Sequence, residues 1–243
     1  MPDIEASLAW QEILLAFAVL ALAAFLVTWL VTDVLQIRRA AYIPILFLTV
    51  AALSAAFLGW SGMPTADVLS NPWRGALAGV LAAAIVLPLV RKLPRRPHVH
   101  GGHLAESLAW EGVVYGVAEG ILLATLPVLV IWQATGDGHR VAWGALAILA
   151  SLVVVFVHHL GYPEFRVPTG RTKLMGALVT CGIQALAFLL TGSIWAPVVA
   201  HILLHGELIM RGVGLPPATV DSRLHRAGLR EPDDVAVQVG ELR

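Results

Sequence analysis

The sequence predicts an all-α integral membrane protein of about seven transmembrane helices, with its N-terminus outside and its C-terminus in the cytoplasm. Three observations carry that prediction. The 243 residues are 58% apolar and 13% charged, with a mean hydropathy of +0.80, whereas soluble domains are roughly 45–50% apolar and about 25% charged. The apolar residues gather into seven runs, most of them near the ~20 residues that cross a bilayer. The basic residues alternate between successive connecting segments. The same composition excludes a disordered chain and a disulfide scaffold. Sixteen basic residues balance sixteen acidic ones, so no nucleic-acid partner is expected. Cys181 is the only cysteine and has no internal partner to oxidise with.

The runs lie at about 9–32, 42–60, 75–90, 109–133, 142–160, 174–192 and 194–210. The first is too long and too acidic at its start (Asp3, Glu5, Glu12) for a cleaved leader. The third is short, which suggests a tilted or shallow helix. Pro88 and Pro127 fall inside runs, where they kink or end a helix. The last two runs are separated by only Thr191-Gly192-Ser193, which requires a tight antiparallel hairpin. Fourteen of the sixteen Lys and Arg sit in the odd-numbered loops and the tail, and the positive-inside rule places those segments in the cytoplasm. The expected location is the cell membrane, as a multi-pass protein in contact with lipid. Residues 1–104 read as helical scaffold plus a basic loop, 105–212 as a core carrying the site, and 213–243 as a polar tail broken by Pro216-Pro217.

Polar residues are expensive at membrane depth and mark partners or cavities. The first three runs hold almost none. The fourth carries Glu111, Tyr115 and Glu119, the fifth ends in His158-His159, and the seventh carries His201, His205 and Glu207. Counted at 1.5 Å per residue, Glu119 and His201 both lie about 15 Å from the cytoplasmic end of their runs and His205 about 9 Å. His201 and His205 are one turn apart and project to one side. Such a pair holds a metal or orients water and an oxyanion, and a nearby carboxylate serves as a general base. A single intramembrane histidine is more often a hydrogen-bonded packing group; one glutamate and three histidines at matching depth point to a site. Gly112, Gly116 and Gly120 recur every fourth residue, a pattern for close helix packing within the chain that also admits a helix-mediated dimer. His98, His100 and His103 stand among basic residues in the third loop, a solvated face for anionic lipid more often than a metal site.

Three segments resemble the signatures of the CPBP family, the CAAX-protease and bacteriocin-processing intramembrane proteins, also called abortive-infection-type proteins. They are Ala118-Glu119-Gly120-Ile-Leu-Leu-Ala124, Phe156-Val-His158-His159-Leu160-Gly161-Tyr162, and Trp195-Ala196-Pro197-Val-Val-Ala200-His201-Ile-Leu-Leu-His205. The likeness covers roughly 105–212. It implies an intramembrane endopeptidase acting on a membrane-associated peptide or protein, with Glu119 activating water and His159 and His201 positioning water or the oxyanion. His205 stands where the family usually has Asn or Asp. Gly120 and Ala124 replace the second glutamate and the arginine of the family's first signature. Three readings follow: a divergent protease, a catalytically inactive scaffold or maturation factor, and a metal-binding membrane protein in which Glu119, His159, His201 and His205 suit zinc.

Overall fold

The computed structural model describes residues 8–37, 39–92, 104–134, 140–168 and 170–212. The third-loop histidines and the tail lie outside them. The described residues are helical and contain no strand. Seven apolar helices follow one another: α1 (Trp10–Val34), α2 (Arg39–Ser61), α3 (Pro72–Arg91), α4 (Leu104–Trp132), α5 (Arg140–Leu160), α6 (Gly170–Thr191) and α7 (Trp195–Met210). The first six are long and apolar enough to cross a membrane.

The short helix is not the one expected. α3 has 20 residues because Pro72 starts it rather than belonging to the preceding loop. Proline fits a first helical position, where its missing N–H has no intrahelical acceptor to serve. Asn71, at φ 50°, turns the chain into it. α7 has only 16 residues, about 24 Å at 1.5 Å per residue. The hairpin before it is as tight as the sequence requires: Gly192 takes φ 64° and its N–H bonds to the Phe188 carbonyl at 2.7 Å. Ser193 Oγ donates to the Ser70 carbonyl at 2.8 Å, tying this turn to the segment before α3.

α4 is the central helix. In its most apolar stretch 83% of residues are buried, against 22–39% in the other five long helices. Those five turn Leu14, Leu48, Leu81, Leu149 and Leu190 outward, among other large apolar side chains, as a lipid-facing surface requires. α7 crosses α4 at Gly116 and Gly120, where an added Cβ would stand 3.0 Å from the Ile202 nitrogen and from the Pro197 carbonyl. The glycine stripe is therefore filled by a helix of the same chain. α3 closes on the other side of α7 in the same way. A Cβ on Gly79 would stand 2.6 Å from the Ala196 carbonyl.

α4 is not a regular helix. Two stretches of widened turns, Leu108–Val114 and Gly120–Thr125, flank the regular turn Tyr115–Glu119. Pro127 accounts for the second. It has no N–H for the Leu123 carbonyl, which accepts from Ser151 Oγ of α5 at 2.5 Å instead. Thr125 Oγ1 donates to the Gly120 carbonyl at 3.1 Å, across the widened turn.

The ends of α1, α3, α5 and α7 meet at one end of the bundle. Arg166 pairs with Asp33 at 2.8 Å, and Glu207 pairs with Arg91 at 3.2 Å and Arg211 at 3.6 Å. Glu207 thus belongs to an ionic cluster at the helix ends rather than to the intramembrane polar group.

Candidate functional site

Glu119 sits on the regular turn of α4 and is 5% exposed. Both carboxylate oxygens are engaged. Oε2 lies 2.8 Å from Nε2 of His205 on α7. Oε1 accepts the Tyr115 hydroxyl at 2.6 Å and lies 3.4 Å from Nε2 of His158 on α5. Three helices therefore converge on one carboxylate. Helical periodicity brings Tyr115 there from one turn earlier in α4.

His201 lies one turn before His205 on α7, with the two rings stacked at 5.8 Å between centroids. One ligand atom from each of Glu119, His201 and His205 falls within 4.8 Å of the others. The Nε2 of His201 also lies 3.9 Å from the Cys181 thiol of α6. Nδ1 of His205 is buried with no hydrogen-bond partner. Two imidazoles and a carboxylate are donors that could hold a metal ion.

The adjacent histidines of α5 separate cleanly. Consecutive helical residues project about 100° apart, and only one of them comes within hydrogen-bond distance of Glu119. His158 does. His159, the residue assigned to water or the oxyanion from the resemblance, has Nδ1 2.8 Å from the carbonyl of Val155 and packs edge-on against Phe165. Glu111 is half-buried near the start of α4, away from the regular turn that carries Glu119.

The first two helices are less polar-free than the sequence suggested. Nδ1 of His158 lies 3.0 Å from Thr28 Oγ1 of α1. Thr28 Oγ1 is 3.1 Å from the Tyr42 hydroxyl of α2, which is 3.0 Å from the hydroxyl of Tyr162, just after α5. Tyr162 returns to Tyr115 at 2.7 Å. Gly161 permits this approach, because a Cβ there would lie 2.7 Å from the Cβ of Thr28. Thr28 and Tyr42 carry no sequence signal of their own. A lone hydroxyl in a membrane helix commonly bonds back one turn, as Thr28 also does to the Ala24 carbonyl at 3.0 Å. No family model, curated protein or solved structure matches the chain.

Proposed function

We propose that this protein is a seven-span intramembrane endopeptidase, a divergent relative of the CPBP proteases, that hydrolyses a membrane-associated peptide or protein. The observation that carries the reading is the meeting of Glu119 with His158, His201 and His205. These residues come from three segments spread over 87 positions of sequence, the same three that resemble the family's signatures. A buried carboxylate with an imidazole on one of its oxygens has the parts of a general base for water. His201 and His205 stand beside that carboxylate, where they would orient the water and donate to the developing oxyanion. His158, rather than His159, takes the place of the family's second-signature histidine. The arginine clusters at the ends of α3 and α7 support a cytoplasmic location for that end of the bundle. The cell membrane follows as the working location.

Profiling of protein N-termini in membranes from cells producing the wild type or Glu119→Gln tests this reading. Wild-type membranes are expected to yield a set of cleaved termini that Glu119→Gln lacks. Identical profiles overturn the reading.

A second reading rests on the Glu119, His201 and His205 group. Two histidines at i and i+4 with a carboxylate, leaving one position for water, are the donor set of a catalytic zinc site. One zinc per chain by elemental analysis, lost in His201→Ala, would establish it; metal-free protein with unchanged cleavage removes it.

A further inference from the structure

Two small side chains leave room beside the central helix. Ala16 of α1 and Ala56 of α2 line an apolar cavity of about 340 Å³ bounded by those helices and α4. Helical periodicity aims the rest of the lining at the same space: Leu20 follows Ala16 by one turn on α1, Leu53, Phe57 and Trp60 share a stripe with Ala56 on α2, and Leu126 and Val130 are one turn apart on α4. Leu20, Phe57, Leu126 and Val130 are buried and form the floor. Leu15, Val19 and Trp60 line the cavity and are also exposed, so it opens through the side of the bundle between α1 and α2. The Trp60 indole brings the only side-chain nitrogen or oxygen of the lining.

The three helices set the cavity at one depth. Leu15 to Leu20 follow the start of α1, Leu53 to Trp60 precede the end of α2, and Leu126 and Val130 precede the end of α4, all by ten residues or fewer. At 1.5 Å per residue the whole lining lies within about 15 Å of the helix ends, half of a hydrocarbon layer of about 30 Å. The cavity is therefore confined to one leaflet, at the end of the bundle away from the Arg91, Glu207 and Arg211 cluster. Trp60 is one residue from the end of α2, at the headgroup level where indoles concentrate. An apolar cavity of about 150 Å³ stays dry and takes up benzene, and this one is more than twice as large. Water has nothing to bond to in it. Atoms that line a void forfeit their contacts on that side, and a flexible hydrocarbon restores them.

We propose that this cavity binds one acyl chain of a bilayer phospholipid, whose headgroup stays at the membrane surface beside Trp60. Acyl chains are the medium at the mouth of the cavity, so the occupant is already in place. A peptide helix is the wrong size: about 10 Å across and 15 Å long, it occupies roughly 1,200 Å³, more than three times the space available. A single unbranched chain is thin enough to enter between α1 and α2. Once bound, it packs those helices against α4 at this end, as the hydroxyls of Thr28, Tyr42, Tyr162 and Tyr115 join them at the other. The inference is independent of the chemistry at Glu119.

Photolabelling tests the site. The full-length protein is placed in phosphatidylcholine vesicles in which a small share of the lipid carries a diazirine midway along one acyl chain. After irradiation, the labelled residues are read by mass spectrometry of fragments. Label is expected at Leu126 and Val130, which are buried on α4 and out of reach of lipid that only coats the bundle. Ala16→Leu is expected to lose the label at Leu126 and Val130 and to keep it at Leu14, which is exposed and outside the lining. Ala56→Leu fills the cavity from the opposite wall and gives the same reading should Ala16→Leu fold poorly, as judged by its unfolding temperature. Label confined to exposed residues overturns the proposal, and so does label at Leu126 and Val130 that survives both substitutions. An apolar helical peptide carrying the diazirine that labels Leu126 and Val130 where the lipid does not also overturns it, and assigns the cavity to a protein partner. Cleavage enters none of these readouts, so the lipid site and the hydrolase reading stand or fall separately.

Discussion

The two sides of α4 are packed in opposite ways. Toward α7 the contact is backbone on backbone, with Gly116 and Gly120 against Pro197, Val198 and Ile202. Toward α1 and α2 the contact is made by side chains, and it leaves a gap in places. At one end of that gap lies an apolar cavity of about 340 Å³ lined by Leu15, Ala16, Leu20, Phe57, Trp60 and Val130, among others. At the other end the gap is filled by Thr28, Tyr42, Tyr115 and Tyr162, bonded to one another. Hydrocarbon tolerates an apolar void but not an unpaired hydroxyl. The end that carries polar groups must therefore be closed by hydrogen bonds, and the end without them can stay open. The difference teaches that position in this site is set from two directions. Close backbone contact fixes the histidines of α7 relative to Glu119, and hydrogen bonds fix α1 and α2.

The largest effect should come from breaking the close side. Gly120→Leu places a branched side chain where even a Cβ is tight against α7 backbone. It is expected to cost more than about 3 kcal/mol, the upper end of overpacking penalties, or to prevent folding, read by thermal unfolding in detergent. Glu119→Gln should leave the fold nearly intact, because the amide keeps an acceptor oxygen for Tyr115. Turnover should fall at least about a hundredfold, measured on the cleavage site found by profiling. Tyr42→Phe probes the other side. It removes a buried hydroxyl and leaves Thr28 and Tyr162 each short of a partner, for about 1–3 kcal/mol of stability. The smallest change should follow Ala16→Leu, which fills part of the apolar cavity. It is expected to raise stability slightly, by at most about 1 kcal/mol, read by thermal unfolding, since lipid already solvates that surface. A large gain there would mean that the gap is a packing defect rather than a feature of the loose side.

The legibility of these features differs by kind. Helix identity was written in the apolar runs, and Glu119, His201 and His205 announced themselves because charge and imidazole are rare at such depth. The register of α3 was misread at Pro72, since a proline after a polar Asn looks like loop unless it is taken as a first helical residue. His158 and His159 could not be separated by type or spacing. Which one faces Glu119 depends on the rotation of α5, which is set by contacts with α1 and α4. Thr28 and Tyr42 were invisible for a similar reason. Their importance arises only when residues 130 and 120 positions away return to meet them.

The shortness of α7 has a consequence for the surrounding lipid. On the seven-span reading, a helix of about 24 Å meets a hydrocarbon layer of about 30 Å, and its far end is anchored by Arg211, whose guanidinium bonds to the Arg91 carbonyl at 2.6 Å. A short hydrophobic segment is accommodated by local thinning of the bilayer. Headgroups and water would then dip toward the polar end of the bundle. His205 lies five residues from the end of α7, about 8 Å along the axis. On the hydrolase reading proposed above, water must reach Glu119 from somewhere, and such a dimple would bring it to His205, which rests on that carboxylate.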